Sequence, residues 1–267
     1  MTIDLAAFAR AYDGLAPYRD RLEAVVGDWA GEYWQMQRGR YEMLLEYIGE
    51  HVGLTPTDRT LDVGIFPGYF TLSLLHMGYD VQGVDLDPDR MLEAAAEPRL
   101  RLKRCNIDGE PLPYPDGSFD VVLFSAVLEH LRINPLQTMR EFHRVLAPGG
   151  RIFVQTPNLG YWLCRARVLL GRGFDESPTI VYRRFEELGH PGHIRVYQMS
   201  ELLELVRYVG FSVQHRGWSH FRRRLPRRPR AVLDALFGIV PSMRRQLVVT
   251  AVKRDATGGA EAAARHP

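Results

Sequence analysis

The sequence predicts an α/β fold built on a doubly wound, mostly parallel sheet. Residues 59–85 have the pattern of a strand, a tight glycine-bounded turn, a helix and a second strand that ends in the acid Asp85. Such a unit presents backbone N–H groups and the positive end of a helix dipole to a ligand. The run Phe119–Ser125 is continuously apolar, as a strand buried on both faces requires. Strand-like and helix-like segments then alternate to about residue 156, which is typical of α/β proteins.

Periodicity and turn chemistry assign the elements in chain order. Residues 1–50 are predicted to be helical, because residues between Tyr33 and Ile48 recur at three- and four-residue steps and form an apolar face, and Gly53 and Pro56 end that region. The helices that follow are predicted at Tyr69–Met77, Asp89–Glu97, Leu128–Leu146 and Met199–Val209. The strands are predicted at Thr60–Val63, Val81–Val84, Leu100–Cys105, Phe119–Ser125, Arg151–Thr156, Phe211–His215 and Gln246–Lys253.

The length of 267 residues suits one large α/β domain with additions. We expect a helical cap over residues 1–55 and an α/β domain over residues 56–254. Two insertions are expected within that domain, at 157–198 and 217–245. The tail 255–267 is small and polar, and we expect it to be disordered.

Composition argues against several classes of protein. The hydrophobic share of 46% is ordinary for a globular protein, and no apolar run reaches the ~18 residues of a membrane span. The N-terminus lacks the charged start and long apolar core of a secretion signal. Cys105 and Cys164 are too few for a disulfide framework, so we expect a reduced, cytoplasmic protein. The spacings C-x-x-C and H-E-x-x-H are absent, and no metal site is expected.

The net charge of +2 is unevenly distributed along the chain, and one segment is strongly basic. Residues 220–230, H-F-R-R-R-L-P-R-R-P-R, carry six arginines and no acid, so the rest of the chain has a balance of 2 − 6 = −4. The stretch Arg222–Arg230 could contact an anionic membrane surface or a phosphate-bearing carrier. RNA is disfavoured because no aromatic residues are interleaved for stacking. The alternative, which we prefer to a binding role, is a solvated insertion whose apolar face packs on the domain.

Four motifs occur in order over residues 58–158. They are D-V-G-I-F-P-G, V-D-L-D-P, N-I-D-G-E-P-L-P-Y-P-D-G-S-F-D-V-V-L-F-S-A-V-L-E-H-L and R-V-L-A-P-G-G-R-I-F-V. Together they resemble the class I S-adenosylmethionine-dependent methyltransferases, closest to the type 11 branch. The later run G-H-P-G-H-I-R-V-Y-Q-M-S-E-L-L resembles MetW-like and glycan-associated methyltransferases. The resemblance implies a Rossmann-like sheet of seven strands in the order 3-2-1-4-5-7-6, with an antiparallel last strand. It also implies S-adenosylmethionine as the cofactor.

The resemblance gives a role to each matching position of the glycine turn. Gly64 and Gly68 would let the backbone approach the methionine and ribose part of the cofactor. Asp62 would lie near the cofactor amino group, and Asp85 would bind the ribose hydroxyls. Phe66 replaces the central glycine of the family motif, so its ring must point away from the pocket if the cofactor is to bind.

The remaining cofactor contacts are also assigned by resemblance. Leu86 would lie against the adenine ring, and Asp108, with the backbone around Ile107, would face its amino edge. Ser125 would form a wall of the methionine pocket. An alternative for Asp108 is an Asx-turn that closes its own loop.

Histidines supply the candidates for a general base, since imidazole titrates near neutral pH. His193 is the first candidate and His130, in L-E-H, the second; His190 lies beside them in G-H-P-G-H. A packing or capping role for His130 is the alternative.

The expected reaction is O-methylation of a glycan, which includes a carrier- or lipid-linked one. One alternative acceptor is a small-molecule metabolite such as a phenol or quinone. The other alternative is a non-catalytic, MetW-like binding protein. The sequence leaves the acceptor and the oligomeric state open.

Overall fold

A seven-stranded sheet forms the centre of the computed structural model, which describes residues 3–94, 97–174, 177–188, 192–219 and 229–254. In chain order, β1 to β7 are Thr60–Val63, Val81–Asp85, Arg101–Arg104, Phe119–Ser125, Leu146–Pro157, Phe211–Ser219 and Gln246–Lys253. The spatial order is β3-β2-β1-β4-β5-β7-β6. Neighbours among β1 to β5 are parallel, and β7 is antiparallel to both β5 and β6. The predicted Rossmann-like sheet and its strand order are confirmed.

Helices cover both faces of this sheet. In chain order, α1 to α10 are Leu5–Asp13, Ala16–Val26, Trp29–His51, Tyr69–His76, Asp89–Ala94, Pro135–Val145, Trp162–Leu169, Pro178–Leu188, Met199–Tyr208 and Pro229–Phe237. Among the described residues, none of the helices combines the length and hydrophobicity needed to cross a membrane. The first three helices are referred to below as the helical cap.

Strand β4 shows how the two hydrophobic cores are divided. Its side chains alternate, as strand geometry requires. Val121 and Leu123 join the core formed with α1, α3 and α4, whereas Val122 and Phe124 join the core formed with α6 and α9. All four are buried, so β4 contributes apolar surface to both cores.

The helix predicted from Leu128 is wrong at its start, because α6 begins at Pro135. Asn134 is its N-cap, and the side chain accepts a hydrogen bond from the N–H of Gln137. Proline suits the first helical position but disfavours helix in the residue before it. Residues Leu128–His130 form only a single 3-10 turn. The stretch 126–134 is therefore a loop, and it follows the carboxyl end of β4.

Two strands are longer than expected. Strand β5 begins at Leu146 instead of Arg151 and takes in the Pro-Gly-Gly segment, where its pairing with β4 shifts register. Strand β6 continues to Ser219, past the expected start of the second insertion. His190, the arginines at 222–228 and the tail 255–267 lie outside the described residues.

Candidate functional site

The carboxyl ends of β1 and β4 lie side by side where the strand order reverses, which is where open α/β sheets bind ligands in a crevice. Gly64 and Gly68 bound the turn after β1, and both have positive φ, 69° and 85°. A Cβ on Gly64 would lie 2.5 Å from Val127 Cγ2, and one on Gly68 would lie 3.0 Å from the Sδ and Cε of Met91. Both the backbone conformation and the space therefore require glycine at these two positions.

Asp85 ties the end of β2 to this turn. Its Oδ2 accepts a hydrogen bond from the N–H of Phe66 at 2.9 Å, and its Oδ1 accepts one from the N–H of Asp87 at 3.2 Å. The adjacent Leu86 is 59% exposed. The crevice thus has a carboxylate beside an accessible apolar side chain, which are the groups expected to meet ribose hydroxyls and adenine.

The ring of Phe66 packs on the helical cap. It stacks on Trp29 with ring centroids 5.7 Å apart and an angle of 5° between the planes. The Phe66–Pro67 peptide is cis, and the carbonyl of Pro67 accepts a hydrogen bond from the hydroxyl of Tyr18 at 2.7 Å. The bulky residue at the position of the missing glycine is accommodated on the cap side of the turn.

Asp62 is buried in the middle of β1. Its Oδ2 accepts a hydrogen bond from Thr71 Oγ1 of α4 at 2.7 Å. Burial raises the pKa of Asp62 to about 7, although the Thr71 hydrogen bond and the charge of Arg40 act in the opposite direction. The side chain therefore exchanges its proton near neutral pH.

A chain of polar side chains crosses the carboxyl edge of the sheet beyond β4. Arg40 of α3 donates through Nη2 to Ser125 Oγ at 2.9 Å and to Gln155 Oε1 at 3.2 Å. Ser125 in turn donates to Gln155 Oε1 at 2.6 Å. Gln155 Nε2 donates to Gln246 Oε1 on β7. Sequence reasoning gave Arg40 no role, because its position on a helix carries no sign of a partner 85 residues away.

The structure brings the two candidate bases together. His130 Nδ1 lies 2.8 Å from the carbonyl oxygen of Gly192, and the rings of His130 and His193 have centroids 5.2 Å apart. A carbonyl oxygen only accepts, so Nδ1 carries the hydrogen and Nε2 holds a lone pair when the ring is neutral.

A buried acid completes this group. Glu129 is 1% exposed, and its Oε2 accepts a hydrogen bond from Thr156 Oγ1 at 2.9 Å. Its backbone oxygen accepts from the N–H of Ile194 at 2.7 Å, which fastens the histidine-bearing segment. One ligating atom from each of Glu129, His130 and His193 falls within 4.8 Å of the other two. Sequence reasoning missed Glu129, although its place in L-E-H beside a candidate base was the available signal.

Comparison with known proteins bears on this geometry. Residues 61–154 match the family described as "Methyltransferase domain". This span holds the glycine turn, Asp85 and the 3-10 turn with His130. Over residues 61–154 the chain therefore resembles a methyltransferase domain.

The relatives agree with this assignment. A "probable S-adenosylmethionine-dependent methyltransferase" of Mycolicibacterium smegmatis is 32% identical over 155 residues, which cover 58% of this chain and 52% of that protein. A demethylmenaquinone methyltransferase of Tropheryma whipplei is 31% identical over 154 residues, which cover 56% of this chain and 58% of that protein. The chain thus spans little more than half the length of these relatives. The resemblance to MetW-like proteins stays a prediction.

A solved structure supports the fold. An S-adenosylmethionine-dependent methyltransferase from Mesorhizobium loti superposes with a TM-score of 0.56 at 20% identity. The match covers 76% of this chain and 94% of that one. At this identity the likeness concerns the methyltransferase fold alone.

S-adenosylmethionine is the cofactor of this family, and the residues of the crevice fit it. Gly68 caps α4 without a side chain, so the first turn of the helix keeps its N–H groups towards the crevice. Asp85 holds the N–H of Phe66, and Leu86 beside it is exposed. Contact of Asp85 with the ribose and of Leu86 with adenine stays a prediction. Asp62 lies one residue before the last residue of β1, at the entrance to the glycine turn.

Asp108 holds the loop that carries the candidate bases. Its carboxylate accepts from the backbone N–H groups of Arg132 at 2.8 Å, Ile133 at 2.9 Å and Asn134 at 3.4 Å. The carbonyl of Ile107 accepts from Thr138 Oγ1 at 2.8 Å. Contact of Asp108 and Ile107 with adenine stays a prediction, and anchoring of the loop is their observed role.

Replacing Tyr18 by phenylalanine is expected to loosen the glycine turn between Gly64 and Gly68. The substitution leaves the carbonyl of Pro67 buried without its donor, which costs about 1–2 kcal/mol of unfolding free energy. Cofactor affinity should fall a few-fold, because the same carbonyl belongs to the turn. Urea unfolding and calorimetry measure the two effects. Tyr208→Phe, at a 70% exposed tyrosine, is the control and should change neither quantity.

Proposed function

We propose that the protein is an S-adenosylmethionine-dependent O-methyltransferase that acts on a hydroxyl of a glycan. The observation that carries this proposal is the group formed by Glu129, His130 and His193. We call this group the acceptor cluster, and it follows β4 on the side of the glycine turn. Val127, two residues before Glu129, packs against Gly64, so the loop that carries Glu129 and His130 contacts that turn.

The bound cofactor supplies an electrophilic methyl group for in-line displacement. A hydroxyl is a weak nucleophile at neutral pH, so the chain must position it and take its proton. The Nε2 atom of His130 is suited to accept that proton, because the carbonyl of Gly192 fixes the tautomer and the ring. His193 stands near enough to share this work or to orient the hydroxyl.

The polar chain along the sheet edge favours a glycan. Arg40 and Ser125 are half-buried, and Gln155 supports both from beneath. The guanidinium of Arg40 and the hydroxyl of Ser125 can bind several hydroxyls at once, as a sugar ring presents, while the buried amide of Gln155 holds the two in place. A small phenol or quinol is the second candidate, favoured by the similarity to the demethylmenaquinone methyltransferase.

Transfer of a labelled methyl group from S-adenosylmethionine to pooled glycans and pooled phenols tests the proposal. His193→Ala and His130→Gln are expected to lower turnover by about 10²–10⁴-fold, the usual contribution of a general base. Cofactor affinity should stay within a few-fold, since neither ring lies in the glycine turn.

The matched control is His76→Gln, which alters a surface histidine paired with Glu97 and should keep full turnover. Equal loss of turnover and cofactor affinity in the two cluster variants, or loss of neither, would refute their role. Methyl transfer to phenols and not to glycans would support the second candidate. Cofactor binding without transfer to any acceptor would favour a binding protein on the same fold.

We further infer a reducing, cytoplasmic setting. Cys105 is buried and Cys164 is half-buried, and the two do not form a disulfide with each other. This arrangement suits a compartment that keeps thiols reduced.

A further inference from the structure

We propose that the acceptor cluster, Glu129, His130 and His193, is a binding site for one divalent transition-metal cation. One ligating atom of each residue lies within 4.8 Å of the others. Neighbouring ligands of a single cation, bound at about 2.0–2.2 Å, lie about 3–3.5 Å apart. Closing the cluster therefore takes movements on the order of 1 Å. His193 is exposed, which leaves it room to make that movement.

His130 is already oriented as a ligand. Its Nδ1–H donates to the carbonyl of Gly192 at 2.8 Å. Metal-binding histidines commonly donate their second ring nitrogen to a carbonyl or carboxylate, which fixes the ring and directs the lone pair of the other nitrogen towards the metal. Because Gly192 directly precedes His193, the same hydrogen bond also fastens the third ligand beside the second.

A positive charge beside Glu129 would stabilise its buried carboxylate. Its side chain is 1% exposed, and the hydroxyl of Thr156 donates one hydrogen bond to it. A neutral hydroxyl offsets the cost of burying a carboxylate only in part. A divalent cation beside Glu129 would offset that cost and would face two imidazole nitrogens.

The donor set points to the class of metal. Two imidazoles and one carboxylate with open positions are typical of Fe²⁺, Mn²⁺, Co²⁺ or Zn²⁺. Mg²⁺ and Ca²⁺ prefer oxygen ligands, so they should bind this cluster more weakly. The sequence predicted no metal site because none of the familiar spacings is present. His193 is 63 residues from His130 and meets it only in the fold.

The role of the cation rests on the proposed function. An acceptor hydroxyl bound in an open position would have its pKa lowered by the metal and would release its proton to water. The histidine nitrogens would then act as ligands, and the cation would replace them in activating the hydroxyl.

Metal binding is testable without knowing the acceptor. The full chain, freed of metal by a chelator, is titrated calorimetrically with Mn²⁺, Zn²⁺ and Mg²⁺ in separate experiments. We expect one equivalent of Mn²⁺ or Zn²⁺ to bind at micromolar concentration and Mg²⁺ to bind at least tenfold more weakly. His193→Ala and Glu129→Gln should each weaken binding at least tenfold, and His76→Gln should not change it.

His193 is exposed, so His193→Ala is expected to fold even if the buried Glu129→Gln variant does not. Circular dichroism and cofactor affinity check the fold of each. Absence of binding at 100-fold higher metal concentration, or wild-type affinity in His193→Ala, overturns the proposal. Metal binding without methyl transfer overturns the proposed function alone. Full methyl transfer by protein that binds no metal overturns the metal site alone.

Discussion

Replacing Gly64 by alanine is expected to lower the affinity for S-adenosylmethionine at least a hundredfold and to destabilise the fold. Two separate costs add at this position. The backbone has φ of 69°, a left-handed conformation that costs a residue with a Cβ about 1–2 kcal/mol. The new Cβ would also lie 2.5 Å from Val127 Cγ2, so either the turn or the loop after β4 must move. Both carry parts of the proposed site.

Two further variants distinguish the cost of the strained backbone from the cost of the clash with Val127. Gly149 has φ of 70°, and a Cβ at this position would meet no other atom within 4 Å, so Gly149→Ala imposes the backbone strain without the clash. It should lose about 1–2 kcal/mol of stability and keep its cofactor affinity. Adding Val127→Ala to Gly64→Ala removes the clash and should restore part of the affinity. Calorimetric titration with S-adenosylmethionine measures the affinity of the wild type and of the three variants. Wild-type affinity in Gly64→Ala would show that the turn tolerates a side chain.

The second large effect is a dependence of stability on pH that comes from Asp62. Burial raises its pKa from 3.8 to about 7, so the folded protein holds this proton more tightly than the unfolded chain does. Stability must then fall as pH rises from about 4 to about 7, and it levels off above that range. The difference between the two pKa values corresponds to on the order of 4 kcal/mol.

Asp62→Asn should remove this slope. Asparagine stays neutral, and its carbonyl oxygen can still accept from Thr71. At pH 8 the variant should be more stable than the wild type, and at pH 4 the two should be close. Urea unfolding at several pH values measures the difference, and parallel curves for the two proteins would contradict the assigned pKa.

Asp120→Asn is the control of opposite sign. The Arg59 hydrogen bond lowers the pKa of Asp120, so this carboxylate stabilises the fold above about pH 4 and loses that contribution in acid. The variant should be less stable than the wild type at neutral pH, and the deficit should shrink as pH falls. Because Asp120 is partly exposed, solvent screening keeps its effect well below that of Asp62.

The affinity for S-adenosylmethionine should also depend on the protonation of Asp62. The family resemblance sets Asp62 near the cofactor amino group, and a positive charge there favours the ionised carboxyl. Binding below pH 7 therefore releases a proton, and affinity should rise by up to about tenfold per pH unit between pH 6 and 7. In Asp62→Asn the affinity should not change over this range.

Local sequence signals were enough to predict the scaffold. The glycines of the turn and the apolar run of β4 each act within their own segment, so their roles follow from backbone sterics and burial. The start of α6 was missed because periodicity continued through Leu131 while the helix-limiting signal was Asn134-Pro135. Capping chemistry outweighed the apolar pattern there.

The parts of the site that could not be predicted depend on contacts between distant segments. Arg40 meets Ser125 across 85 residues, and Gly192 meets His130 across 62. Asp108 illustrates the same limit, since its backbone partners at 132–134 lie on a loop whose course the sequence does not define. Residue type indicated what these groups can do, and only the fold shows where they do it.

The contact of the helical cap with the cofactor turn has a dynamic consequence. The turn is held from outside by the Tyr18 hydroxyl and the Trp29 ring, and α4 is held by a hydrogen bond from Tyr69 to the carbonyl of Ala30. Undocking of the cap and loosening of the turn therefore belong to one cooperative opening event. A ligand that binds only the closed turn must slow amide hydrogen exchange throughout the cap, including helices it never touches.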